Sequence, residues 1–183
     1  MELVKSLKQS KLLKYVFLAL IGSIVLAISS KIKIPFYPVP MTMQTLAVLV
    51  IGVLFGWKLG IATIILYLFE GIIGLPVFAG TPEKGVGLIY FTGPTMGYLI
   101  GFLSACFFAS FIKKDENYFV IFLKLVLSVS TIYILGVLWL GTLLGWDKPI
   151  VQLGVKPFLL AEIFKIILLT LLTKKIIKLR RFI

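Results

Sequence analysis

Apolar residues fall in six long runs, and polar and helix-breaking residues gather in the gaps. The runs cover 15–30, 42–55, 59–73, 93–112, 118–144 and 157–173. Stretches this greasy belong in lipid, where a crossing helix needs roughly 20 apolar residues. The pattern predicts one all-α integral membrane domain, 1–183, of six transmembrane helices. The second and third runs are short for a crossing. They lie beside the Pro-rich connection 31–41, with Pro35, Pro38 and Pro40, and the long connection 74–92, with Pro76, Pro82 and four glycines. Short spans beside such loops predict that the loops fold back and cap an outward-facing ligand cavity, because irregular backbone at membrane depth is tolerated only against protein or a cavity. Gly56-Trp57-Lys58 reads as a tight turn with an interfacial Trp, 113–116 as a polar hinge, and 145–156 as a loop.

Composition sharpens this picture. Apolar residues make up 60% of the chain and the mean hydropathy is +1.11, well beyond soluble domains. Nineteen basic residues face seven acidic ones, a net +12. The cations lie in short gaps between greasy runs and not on one polar face, which argues against nucleic acid. Six spans put both termini on one side. That side carries twelve cations, from Lys5 to Lys14, at Lys58, at Lys113 and Lys114, and from Lys174 to Arg181. The other side carries five: Lys31, Lys33, Lys84, Lys148 and Lys156. This asymmetry predicts a multi-pass protein with N- and C-termini in the cytoplasm. The first 30 residues have the outline of a secretory signal, but the greasy segment belongs with the other spans and is read as retained. Cys106 is alone and His is absent. These facts exclude a disulfide framework and remove the commonest metal ligand and general base.

Candidate chemistry sits in the last run. Glu162 and Lys165 are three positions apart, hence on one side of a helical turn. Each charge at membrane depth costs on the order of 2.5–3.5 kcal/mol on insertion scales, so an intramembrane pair marks a candidate functional site. Glu162 lies about 9 Å past Lys156 along the helix axis, in the outer half of the bundle. The second, fourth and sixth helices all begin on that side, and their N-termini supply a positive field suited to a carboxylate. The ligand that fits has an acidic end, an N–H-bearing end and an apolar middle. Phe78, Tyr90, Tyr98 and Trp139 are candidate apolar walls. Self-neutralisation of the pair as a purely structural device is the alternative. Glu70, at the outer end of the third run, is read as reaching the interface, Lys124 as snorkelling, and Cys106 as a small apolar filler. Ala19, Ser23 and Ala27 form a face of small residues that packs either within the protein or on a partner membrane subunit. There is no Gly-x-x-x-x-Gly-Lys-Ser/Thr loop, so energy comes from a partner or a gradient.

Three stretches resemble a known family: PVPMTMQTL at 38–46, GLPVFAG at 74–80 and GPTMGYLIGF at 93–102. They are similar to the BioY family, the biotin-binding S components of energy-coupling factor (ECF) transporters. The likeness extends over nearly the whole chain. It implies biotin as the transported ligand, no cofactor and no enzymatic activity. It also implies a shared ECF transmembrane subunit and two cytoplasmic ATP-binding cassette ATPases as partners, in a bacterial or archaeal cell membrane. Glu162 and Lys165 match the family's Asp-x-x-Lys in the last helix, with Glu in place of Asp. Gln44 lies in the first motif. Ala79-Gly80-Thr81 stands where some members carry an Asn. By the same resemblance, Ala19, Ser23 and Ala27 match the first-helix surface on which S components dock. An S component for another small vitamin, or a membrane-embedded enzyme using Glu162 as acid or base, are the competing readings.

Overall fold

The computed structural model describes residues 2–83 and 85–183 of the 183-residue chain. The side chains of Lys5 and Lys8, and all of Lys84, lie outside the described residues. Helix α1 (Glu2–Lys31) leads into a two-stranded ribbon, β1 (Lys33–Ile34) and β2 (Met41–Thr42), paired antiparallel with Lys33 opposite Thr42. The Pro-rich connection is thus a clasped hairpin and not an open loop. Its prolines fall between the strands, where no ladder N–H is required of them.

Helix α2 (Gln44–Ile72) contains one non-helical residue, Gly56, with φ 72° and ψ 177°. That positive φ is open to glycine and costly for other residues. It reverses the chain. Gln44 Nε2 lies 2.7 Å from Tyr67 Oη, whereas 23 residues of straight helix would separate them by about 35 Å. The two arms, 44–55 and 57–72, are therefore the predicted second and third spans folded antiparallel. The turn needs one residue, and Trp57 and Lys58 already belong to the second arm, with the Lys58 amine 5.4 Å from the Trp57 ring centroid.

The remaining elements are α3 (Met96–Ala109), α4 (Tyr118–Leu144), a short α5 (Ile150–Gly154) and α6 (Leu159–Lys178). Asn117 caps α4 by accepting from Val120 N at 2.8 Å. The fourth span starts three residues later than Gly93, since 87–92 forms a 3₁₀ turn. The sixth starts after a second such turn at Lys156–Phe158. Six helical segments cross the bundle: α1, the two arms of α2, α3, α4 and α6.

Small residues set the crossings. A Cβ on Gly101 would lie 2.6 Å from Ile132 Cα, and one on Gly97 would lie 2.3 Å from Leu135 O. Helices α3 and α4 thus pack backbone to backbone, as membrane helices with small-xxx-small spacing do. Cys106 is fully buried between the arms of α2, its Sγ close to Gly60 and its carbonyl close to Gly52. It is the apolar filler the sequence indicated. At the end away from the loops, Arg180 donates to Val53 O at 2.6 Å and Ser110 O at 3.0 Å. One guanidinium there satisfies carbonyls at two helix C-termini.

The small-residue face of α1 needs correction. Ala19 and Ser23 are buried, Ala27 is half-buried, and Gly22 abuts Thr63. The stripe is used inside the protein, because α1 lies close against the second arm of α2. The face that α1 turns outward is bulky, with Phe17, Ile24 and Ile28 more than half exposed.

Gly101→Ala should cost about 1–3 kcal/mol, because the added methyl meets backbone that has no rotamer to give. Thermal unfolding in detergent measures this.

Candidate ligand-binding site

The first turn of α6 carries Glu162, and Lys165 follows one turn on; both are buried. Lys165 Nζ donates to three oxygens: Thr42 O at 2.7 Å, Glu162 Oε1 at 2.9 Å and Thr45 Oγ1 at 3.0 Å. An ammonium has three protons, so its donor set is complete. The Thr45 hydroxyl in turn donates a hydrogen bond to Glu162 Oε1 at 2.8 Å. The cluster therefore ties α6 to the start of α2 through both a side chain and a carbonyl. Glu162 Oε1 holds two donors; Glu162 Oε2 is buried and makes no hydrogen bond of normal geometry among the described residues, with the Tyr133 hydroxyl beside the carboxylate. A buried carboxylate oxygen without a donor costs on the order of 1–3 kcal/mol or more. This one adjoins a cavity.

That cavity is tight in this structure, with a volume of about 50 Å³. Val39, Pro40, Met41, Thr42, Gln44 and Thr45 form one wall. Thr95 just before α3, Tyr98, Leu99 and Phe102 of α3, with Ile132 and Tyr133 of α4, form another. Phe158 and Glu162 close the side, and Ala79 and Tyr90 come from the long connection. The first turns of α2, α3 and α6 all reach the cavity, as the placement of the helix starts predicted. Aromatic edges stiffen it: Tyr98 and Tyr133 meet at 6.0 Å between ring centroids, and Tyr133 and Phe158 at 6.1 Å. Tyr98 Oη donates to Gly154 O at 2.9 Å, which ties α5 to the cavity wall.

The long connection folds down as a lid. Phe78 stacks on Tyr90 at 4.7 Å and meets Tyr67 edge-on at 5.3 Å. A Cβ on Gly71 would lie 2.0 Å from the Phe78 ring, so glycine makes the seat for that ring. Tyr90 Oη donates to Ala79 O at 2.8 Å.

The structure brings Glu162, Gln44, Ala79, Tyr90 and Tyr98 together on the cavity wall. Phe78 sits one layer behind, 1% exposed, and shapes the lid. Lys165 does not line this cavity; it borders a neighbouring cleft with Met41, Thr42 and Phe164. Trp139 is not a wall. Its Nε1 donates to Gly93 O at 2.8 Å, and the indole fixes the start of α3 against α4. Thr81 is turned from the cavity, its hydroxyl bonded to Phe78 O at 2.7 Å. Glu70 does not reach out to the interface as expected; its Oε1 accepts from buried Ser23 at 2.8 Å. Lys124 does reach out of its span, to Glu116 and to Phe111 O. Thr45, Thr42, Tyr133 and Phe158 are the site residues that the sequence reading missed. Thr42 and Thr45 had a signal: two hydroxyls three apart at the mouth of a greasy run.

Comparison with known proteins bears on the family and the fold. The model of the BioY family matches residues 4–182. A probable biotin transporter BioY from Pyrococcus horikoshii is 34% identical over 139 residues, covering 76% of this chain and 81% of its own. The biotin transporter BioY2 of Lactococcus lactis is 33% identical over 169 residues, covering 90% of each. The fold matches a crystal structure of the S-component for biotin from an ECF-type ABC transporter, with a TM-score of 0.76 at 25% identity over 92% of this chain and 93% of that one. A family match spanning almost every residue, on a fold whose cavity is walled by the three stretches that carry the likeness, leads to one statement: the chain belongs to the BioY family.

Proposed function

We propose that this chain is the biotin-capturing membrane subunit of an ECF-type transporter: a binding component and not an enzyme. The observation that carries the reading is the buried Glu162 oxygen left without a hydrogen bond of normal geometry on the wall of a cavity, in a chain whose relatives are biotin transporters. Biotin has a ureido ring with two N–H donors, an apolar thioether ring and a carboxylate. The ureido N–H groups suit Glu162 Oε2. The Tyr98, Tyr133 and Phe158 rings suit the apolar middle. The carboxylate suits the positive first turns of α2 and α3. Lys165, whose three protons are already placed, holds the Glu162 carboxylate in position.

In this reading the cavity faces outward and both termini lie in the cytoplasm, which the twelve-to-five cation asymmetry supports. The single six-helix domain hands its ligand on with a partner transmembrane subunit and two ATPases. Biotin is cargo, and no cofactor is needed.

Isothermal titration of the detergent-purified protein should give saturable biotin binding. Glu162→Gln should weaken it about tenfold to a hundredfold, the value of a charge-assisted hydrogen bond in a buried site. Unchanged affinity would remove Glu162 from the site, and preferential competition by another vitamin would reassign the ligand. The pair itself makes a second test. Lys165→Met strands a buried carboxylate and should destabilise the protein by about 3–5 kcal/mol. Adding Glu162→Gln to Lys165→Met should recover part of that loss in the same unfolding assay, because both charges are then gone.

A further inference from the structure

We infer that Tyr67 and Ser30 are positioning residues for ligand capture, holding the lid segment 77–81 over the cavity through one shared oxygen, the carbonyl of Val77. The inference rests on the biotin-binding reading for its ligand, not for its geometry. Gln44 on the cavity wall donates its Nε2 to Tyr67 Oη at 2.7 Å. Tyr67 Oη donates to Val77 O at 3.0 Å. Ser30, near the end of α1, places its Oγ 2.7 Å from the same oxygen. Ser30 and Tyr67 are 0% exposed and Gln44 4%. A buried polar chain thus runs from the ligand wall, through the second arm of α2, to the lid and on to α1. Two residues beyond Val77, Ala79 lines the cavity. Lys31 holds the other end of the segment, donating to Phe78 O at 2.9 Å and to Thr81 Oγ1 at 3.1 Å.

Ser30 has one hydroxyl proton and two carbonyls within reach. Its Oγ is also 2.7 Å from Ala27 O, one turn back in its own helix. When the lid lifts, the serine keeps a partner, as serines in helices commonly do. Tyr67, rooted in the second arm of α2 and held by Gln44, directs its proton to Val77 O and supplies most of the hold, while Ser30, shared with Ala27 O, lets α1 engage or release the lid at low cost. The position of α1 then sets how long the ligand stays.

The test is dissociation of labelled biotin from the full chain in detergent, chased with excess unlabelled biotin. Tyr67→Phe should raise the off-rate about two- to tenfold, the range of one neutral hydrogen bond. Ser30→Ala alone should raise it about twofold or less, since Tyr67 still holds the oxygen. The double variant should exceed the product of the single effects, because only then is the Val77 carbonyl left without either donor. On-rates should stay unchanged. A double variant with the wild-type off-rate, or one that merely loses active protein while the remaining sites release at the wild-type rate, overturns the inference. A readout free of biotin runs beside it. In a Cys106→Ala background, Ala79→Cys should react with a maleimide faster when Tyr67→Phe and Ser30→Ala are added. An unchanged labelling rate overturns the inference whether or not biotin binds. Failure of the wild-type chain to bind biotin, with labelling accelerated, removes the ligand assignment and supports the latch.

Discussion

A carboxylate and an ammonium buried in a membrane bundle must satisfy each other, and the arrangement at Glu162, Lys165 and Thr45 governs much of what surrounds it. Placing an ion pair in low dielectric is costly unless geometry and extra hydrogen bonds offset the desolvation. Here the ammonium takes three oxygens, one from Thr42 at the end of β2 and one from Thr45 at the start of α2. Helix α6 is therefore fixed to α2 at the height where both helices begin. The ribbon β1–β2 must deliver Thr42 at that place for the cluster to close. The clasp between residues 33 and 42, the N-terminal turn of α2 and the first turn of α6 form one unit, and the cavity is the space it leaves against α3 and α4.

The same constraint explains why the bundle is built on glycine. Room for a ligand at one end of a six-helix protein requires tight contact elsewhere. Gly97 and Gly101 bring α3 onto the backbone of α4, and Gly52 brings the first arm of α2 onto α3. Gly71 opens a seat in the second arm for the Phe78 ring. Lipid tails are as apolar as leucine, so these approaches gain dispersion contacts and not burial from water. Polar links fall where helices must be held at a set distance: Ser104 to Thr131 between α3 and α4 at 2.9 Å, and Arg180 across the two C-termini at the far end.

Much of this was legible in the chain. Run lengths fix the six segments, and the span 118–144 coincides with α4. The charged pair shows itself by its depth alone. Other features need the third dimension. A period-four stripe of small residues on α1 says that something comes close, not what. The second arm of α2 comes close, so the stripe is interior. Trp139 has the size of a wall, but its N–H finds the Gly93 carbonyl, and that bond decides its place. Thr45 looks like an ordinary residue in a greasy run. It acquires its role only when α6, 117 positions away, comes beside it. Glu70 reads as interfacial from its position near a helix end. Helical side chains lean toward the N-terminus, and this leaning carries its carboxylate back to Ser23.

Glutamate at 162, where the family pattern has aspartate, fits the geometry on physical grounds. Its arm is longer by one C–C bond, about 1.5 Å. With that reach, Oε1 meets both Lys165 on its own helix and Thr45 on another, and Oε2 remains over. An oxygen that accepts two strong donors is fully engaged, so the internal pair and the ligand need not compete for it. The longer residue separates two tasks that a shorter carboxylate, drawn back toward α6, would perform closer together. One oxygen neutralises the lysine and joins the helices, and the other makes no hydrogen bond of normal geometry among the described residues, on a residue that lines the cavity.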